Sequence, residues 1–328
     1  MTQDRRAAIA GSIGAIPRML PMTVRVRDGR DAPGAAPNAY HFVMLRHRLL
    51  AGQLAGIGAV GAMMDAAGGL PEATWRYRAT IALPGRAPLV LEDTGSGAIG
   101  AASSALASPF TMLLGNPFAP LEADSIGLDL TVWPGLSGGS IEALRLGSAV
   151  VRPGETIDVF ATVRDRRGAE REISFSLPVP EDQPDGRLVV AVGGGAELDR
   201  QEASRLPARH QAASFDALLA RLADRRRDDH LYAALYGSGL EPVVDGVPYP
   251  DLPAFAQRML APERANRPTD PWGRLSAISE KNRDVAVPVT GLLTLPVEVR
   301  RRPDAPSRPA DRGAIPVLRA SDREQEDG

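Results

Sequence analysis

No cysteine occurs in the 328 residues, so structural disulfides, thiolate zinc sites, iron–sulfur clusters and cysteine nucleophiles are all excluded. Lysine is almost as scarce. Lys281 stands alone, and no Walker-type loop surrounds it, which leaves a Schiff-base or P-loop mechanism with a single poorly placed candidate. An excess of one charge is missing too: 38 basic and 40 acidic residues give a net charge of −2, and neither sign gathers into one long block. That balance argues against nucleic acid as a partner. The chain also lacks an apolar run of the about 20 residues that a membrane helix needs. Its nearest approach, Leu49 to Met64, contains Gln53 and stops at Asp65. This stretch reads as a packed core helix, with Gly52 and Gly56 in G-x-x-x-G spacing to admit another element closely. At the start, Arg5-Arg6 precedes a mild apolar run, Ala7 to Ile16, but Gly11, Ser12 and Gly14 dilute it and Pro17, Arg18 and Pro21 follow. No convincing secretory signal is written there. No internal repeat of fixed period is visible.

What is present is strand pattern. From Ile126 to Val192 the segments IGLDLTV, SIEALRL, ETIDVFATV, REISFSLPV and GRLVVAV are separated by breaks rich in Gly, Pro and charge. In the third, Ile157, Val159, Ala161 and Val163 share one face, while Thr156, Asp158, Phe160, Thr162 and Arg164 share the other, as in a half-buried strand. Asp165-Arg166-Arg167-Gly168 then predicts a hairpin onto Arg171 to Val179. Short antiparallel strands at this spacing point to an immunoglobulin-like β-sandwich over residues 124–196. Residues 1–123 read as an α+β unit, with strands at MTVRV and AYHFVML, the helix Leu49 to Met64, and a hairpin of TWRYRATIAL and APLVLED about Pro84-Gly85. A second helix runs from Ala98, interrupted or ended by Pro109 and closed by Asn116-Pro117-Phe118. Residues 197–300 read as mainly helical. Phe215, Leu218, Leu219 and Leu222 lie behind a Ser214 cap, Leu231, Tyr232, Leu235 and Tyr236 form a second apolar set, and Ala254 to Leu260 adds a short turn. Asp284 to Val299 returns as a strand that Pro288 and Pro296 confine to an edge or bulge. Residues 301–328 read as a disordered tail. The fold class is thus α+β and β-rich.

The sharpest motif is Gly135-Leu136-Ser137-Gly138-Gly139, which resembles the nucleophile loop of trypsin-like serine peptidases. His41, His47 and Asp93 precede it in the order that family uses. Neither histidine has that family's Ala-His context, and Trp133-Pro134-Gly135 is turn chemistry, so the loop reads first as a hairpin tip. The alternative is a serine hydrolase using Ser137 with His47 or His41 as base. Gly193-Gly194-Gly195 lies between a strand and a helix, but Leu198 stands where a dinucleotide fingerprint needs Gly or Ala, so it reads as a plain turn. His41 and His47, even with Asp65 or Glu72, lack metal-ligand spacing, and His210 and His230 are isolated, so no metal and no cofactor is expected. Arg225-Arg226-Arg227-Asp228-Asp229 reads as a solvated break between helices. Trp75, Tyr77 and Trp133 are the candidate contacts for a third reading, a carbohydrate- or peptide-binding sandwich.

Several stretches together resemble the C-terminal region of bacterial proteins related to the stage IV sporulation protein B serine peptidases. They are Asp4-Arg5 through Ile9, Gly11, Gly14 and Pro17 to Val24; Asn116-Pro117-Phe118; Arg152 to Thr156; and Asp228-Asp229-His230-Leu231-Tyr232. In that family a peptidase domain lies upstream, its serine in a G-M-S-G-S-P loop. Ser137 does not correspond to that nucleophile, so the resemblance carries over no catalytic residue. It implies a non-catalytic structural or protein-interaction module that begins after the peptidase domain. The implied partner is that upstream-encoded domain or another envelope protein, in an extracytoplasmic setting.

Overall fold

The computed structural model describes residues 18–32, 34–118, 123–205, 214–237, 243–244, 247–248, 277–301 and 317–319. The expected turn at Ala254 to Leu260 lies outside them. The chain is α+β and β-rich, and its strands form three main sheets.

Strands β1 (Met19–Asp28), β2 (Asn38–Leu45), β3 (Glu72–Ala82), β4 (Leu89–Ala98) and β5 (Ser125–Pro134) form the first sheet, in the order β2-β1-β5-β3-β4. Within it only β1 and β5 run parallel. Alternation decides which face is covered: Leu20, Met22, Val24 and Val26 of β1 and Ile126, Leu128, Leu130 and Val132 of β5 are all buried. Helices α1 (Ala51–Ala66) and α2 (Ile99–Leu114) cover that face. The two helices touch backbone to backbone, because a Cβ on Gly52 would come 2.6 Å from the Thr111 Cα and one on Gly56 2.5 Å from the Ser103 carbonyl oxygen. Pro109 neither interrupts nor ends α2, contrary to expectation. The carbonyl it leaves unpaired, one turn back, belongs to the exposed Ala105, where water can satisfy it. Gly115 and an Asn116 side chain that donates to the Leu113 carbonyl (2.9 Å) close the helix instead.

The remaining elements are β6 (Gly139–Leu146), β7 (Val150–Val151), β8 (Thr156–Asp165), β9 (Glu170–Pro178), β10 (Gly186–Gly194), α3 (Gly195–Arg205), α4 (Phe215–Ala223), β11 (His230–Gly237), β12 (Val243–Val244), β13 (Val247–Pro248), β14 (Ala277–Asp284), β15 (Val289–Thr290), β16 (Leu292–Val299) and β17 (Val317–Arg319). One sheet has the order β15-β6-β8-β9, with β17 also on β6, and another the order β14-β11-β10-β16-β7. Their inner faces meet in one core, Val159, Ala161, Phe175 and Leu177 from the first against Val190, Val192, Leu235, Leu295 and Val297 from the second. The β8–β9 hairpin turns at Gly168 (φ 88°) as the sequence predicts.

Four further expectations change. β5 joins the first sheet, so the loop before β6 is a crossing between sheets and not a hairpin tip. Leu231 to Tyr236, expected as a helix, lies in the inner strand β11. It shows no alternation because both of its faces are buried: Leu231, Ala233 and Leu235 enter the two-sheet core, while Tyr232, Ala234 and Tyr236 pack with Ala191 of β10 and Leu198 of α3. The single final strand breaks at Gly291 (φ 98°) into β15 and β16. Pro296 is tolerated because β7 pairs only with Glu298 and Val299, which leaves the strand open on that side at the proline. Within the tail, Val317–Arg319 pairs with Ala143 to Arg145 of β6.

Candidate functional site

Among the described residues the chain crosses from the first core to the second twice, and both crossings land on β3 and β4. At the first, Thr74 Oγ1 donates to the Gly135 carbonyl (3.0 Å), and the Ser137 N–H donates to Thr74 Oγ1 (2.8 Å) and Ser96 Oγ (3.1 Å). The second is the run Arg225 to His230, between α4, whose Leu218 and Leu222 belong to the first core, and β11 of the second. It docks further along the same hairpin, where Arg76 faces Thr94 and Tyr77 faces Asp93.

Here ionisable groups converge. Asp93 is buried; its Oδ1 accepts from the N–H groups of Thr94 and Asp228, both at 2.8 Å, and its Oδ2 from Arg225 Nη2 at 2.8 Å. Asp229 has no exposed surface. Its Oδ1 takes Arg227 Nε (3.0 Å) and lies 2.7 Å from His230 Nδ1, while its Oδ2 takes Arg227 Nη2 (2.7 Å) and Thr94 Oγ1 (3.0 Å). Arg76 approaches at 3.6 Å. Arg226 is boxed by Asp199 (2.6 Å), Glu202 (2.8 Å) and Glu280 (2.6 Å), and lies over the Tyr232 ring. Arg227 also reaches Glu92 at 3.1 Å. Asp228 accepts from the Ala196 N–H (2.9 Å) in the first turn of α3, and its carbonyl accepts from Val289 N–H (3.0 Å).

The environments split the carboxylates. Burial opposes the charge on Asp229, yet the bonds from Arg227, His230 and Thr94 outweigh it and hold its carboxyl below the usual range. Being ionised, Asp229 accepts only, so His230 donates through Nδ1. For Asp228 burial wins: with Asp93 adding like charge, its carboxyl is pushed up to about 7, against the opposing pull of the Ala196 N–H and Arg225. Asp93 is raised too, again chiefly by burial. Arg226 stays charged although burial disfavours it, because Glu280 and Glu202 bond to it. The cluster therefore ties two cores together and carries a carboxyl that titrates near neutrality.

The sequence-derived candidates fall elsewhere. Ser137 is exposed in the first crossing, in a shallow cleft of about 290 Å³ lined by Ser96, Ser140, Arg164, Asp165 and Pro288 among others, with no histidine among the described residues of its wall. His41 sits on β2 beside Thr23 Oγ1 (3.2 Å), and His47 Nδ1 accepts from the Leu49 N–H (3.2 Å). Asp93 is on β4, the opposite edge of the first sheet from β2. Four strand spacings of about 4.8 Å put the His41 and Asp93 strands roughly 19 Å apart. Of the three aromatic candidates, Trp75 and Tyr77 face the core at 4 % exposure each, Tyr77 also lining a cavity of about 310 Å³ with Glu92, Arg225 and Arg227; Trp133 alone stays partly exposed, its indole over Gly29. Gly193 and Gly194 end β10 and Gly195 opens α3, a plain strand-to-helix turn.

Arg225 to Asp229 is not the solvated break expected, for its partners Glu92, Asp93 and Thr94 lie more than 130 positions away. One signal was available: Asp228-Asp229-His230 abuts a strand apolar on both faces, with no turn residue between to carry the charges to solvent. Ligand atoms of Asp229, His230 and Asp284 lie within 4.8 Å of one another. They do not suit a cation, because Asp229 already takes four hydrogen bonds and Arg227 would have to be displaced. A cleft of about 650 Å³ between α2, α3 and α4 borders the cluster, lined by charges of both signs including Asp199, Arg200, Glu202, Arg221 and Arg226. No helix among the described residues is long and apolar enough to cross a membrane. The chain matches no protein-family model, no curated protein and no solved structure.

Proposed function

We propose that this chain is a non-catalytic structural or protein-interaction module, resembling the C-terminal part of a sporulation-peptidase-like envelope protein, with an immunoglobulin-like sandwich as its second core. The observation that carries this reading is the commitment of the serine loop. A nucleophile loop needs free N–H groups to receive an oxyanion. Here the Ser137 N–H is given to Thr74 and Ser96, and the Gly139 N–H to the Pro288 carbonyl (2.9 Å). The glycines of this loop serve a crossing between sheets, where a Cβ on Gly138 would press on the Pro288 carbonyl oxygen at 3.3 Å. The test is labelling of the purified protein with a fluorophosphonate probe, read by intact mass. No adduct is expected under conditions where a control hydrolase labels fully. A stoichiometric adduct that disappears in Ser137→Ala would establish an activated serine and overturn the reading.

A further inference from the structure

Strand β2 is an outer edge of the first sheet, and it carries none of the devices that usually protect an edge. Its sequence, NAYHFVML, has no lysine, carboxylate or proline, and its eight residues pair with β1 without a bulge. Arg46 N–H donates to the Arg18 carbonyl just past the strand, so by the alternation of an antiparallel ladder Tyr40, Phe42 and Met44 also address β1. The N–H and C=O groups of Ala39, His41 and Val43 then point away from the sheet, with no strand to receive them among the described residues, while the Leu45 carbonyl at the strand's end accepts from the His47 N–H at 2.9 Å.

Helix α1 lies on the same flank. Phe42 packs 3.6 Å from where a Cβ on Gly58 would stand, and Tyr40 donates to Asp65 at 2.7 Å. Most surface helices are apolar on one stripe; α1 has only Asp65 as a charge and buries the face carrying Ala55, Ala59 and Met63. Its opposite face remains apolar and open: Leu50, Leu54, Ile57, Gly61 and Met64 follow one another at steps of four and three, the spacing of a helix–helix seam. Ile57 is 63 % exposed and Val43 67 %.

We propose that this flank is where a second copy of the chain docks, β2 pairing antiparallel with its own equivalent and the two α1 seams meeting above it. A two-fold axis suits both features at once, because an antiparallel strand edge and a helix seam are each self-complementary. Charge does not oppose the pairing, since His41 and Asp65 are the only ionisable side chains on the two elements besides Tyr40, and Asp65 is bonded to Tyr40. The size is adequate. Eight residues of strand are about 27 Å long, sixteen of helix about 24 Å, and two layers about 20 Å deep, so each copy offers roughly 500 Å² in projection. The accessible area of a side-chain surface exceeds its projection, which brings this close to the roughly 800 Å² per partner of a specific dimer.

Light scattering and sedimentation of the intact chain test this. The wild type is expected to be a dimer at about 100 µM, with a dissociation constant in the micromolar range. Val43→Pro removes an outward N–H, which an edge strand tolerates, and Ile57→Glu places a charge in the seam; each is expected to weaken association at least about tenfold while far-UV circular dichroism stays unchanged. A wild type that is monomeric at that concentration, or a dimer that survives Ile57→Glu, overturns the proposal. Ile57 is exposed enough to mutate safely should Val43→Pro misfold. The proposal does not depend on the serine loop, and labelling and self-association fail separately.

Discussion

Asp228 and Asp229 are adjacent in sequence and opposite in electrostatics, because only one of them is met closely by cations. Asp229 sits on Arg227, His230 and Thr94, and its lowered pKa contributes stability above the ordinary aspartate range that is lost as pH falls through it. Asp228 receives one backbone N–H and the like charge of Asp93, with Arg225 partly offsetting it and Glu197 adding to it. Its carboxyl, ordinary in the unfolded chain and about 7 when folded, stays protonated only in the fold between those values. The unfolded state therefore binds fewer protons there, and stability falls as pH rises from about 4 to about 7. The wild type should melt higher at about pH 5.5 than at about pH 8, and Asp228→Asn, which mimics the protonated acid, should raise the melting temperature at the higher pH and flatten that difference. At about 2–4 °C per kcal/mol for a chain of this size, calorimetry at the two pH values resolves the effect. A variant as pH-sensitive as the wild type would remove Asp228 from the account.

Among the elements, α1 shows how one residue type does two jobs. At Gly56 α2 comes close, and a Cβ there meets the Ser103 carbonyl oxygen and Ala107; Gly61, about a turn and a half on, has nothing within 4 Å among the described residues. Helix propensity favours alanine over glycine by about 1 kcal/mol at both sites. Overpacking costs about 1–3 kcal/mol at the first only. Gly56→Ala should thus lower stability in urea unfolding and Gly61→Ala should raise it, and equal signs would contradict the packing. The G-x-x-x-G spacing made this contact legible in sequence, as alternation did β1, β3, β5 and β8, and Ser214 the start of α4, where its Oγ accepts from the Ala217 N–H at 3.1 Å. β11 was not legible, because a strand buried on both faces loses period two and its Leu-Tyr-Ala-Ala-Leu-Tyr sequence suits a helix equally well. β14, AISEKNRD, was invisible for the converse reason: it borders only β11, and its exposed end from Lys281 to Asp284 writes a polar run without alternation. The junction was legible only in part. Its charges are contiguous from Arg225 to Asp229, but their partners on β4 are set by tertiary structure.

For the molecule as a whole, the junction decides whether two cores behave as one. Two of the three tryptophans, Trp75 in the first core and Trp133 on the same sheet, report on the first unit, and Phe substitution of Trp272, which lies outside the described residues, confines the fluorescence to it, while far-UV dichroism weights both. In the wild type both signals should trace one coincident urea transition. Asp229→Ala removes the acceptor shared by Arg227, His230 and Thr94, though Arg227 keeps Glu92; the loss, on the order of 1–3 kcal/mol for the donors left unsatisfied, should separate the two curves. Coincident curves in the variant would mean that the remaining contacts, Asp93 with Arg225 and Asp228 and Thr74 with the first crossing, suffice to couple the cores.

The long-range pairings of the second core also set a clock on synthesis. Gly139 pairs with Val289 and Val150 with Glu298, so the two-sheet core cannot close until the chain has grown by about 150 residues beyond β6, although β10 and β11 arrive earlier. At roughly 5–20 residues per second that is on the order of 10–30 s on the ribosome, with Val159, Phe175 and Leu177 only partly covered, by β10 and then β11. The first sheet is complete once β5 has emerged and faces no such delay. The nascent chain is thus one finished half trailing a partly roofed one, and its yield in a cell depends on what shields β8 and β9 during that interval.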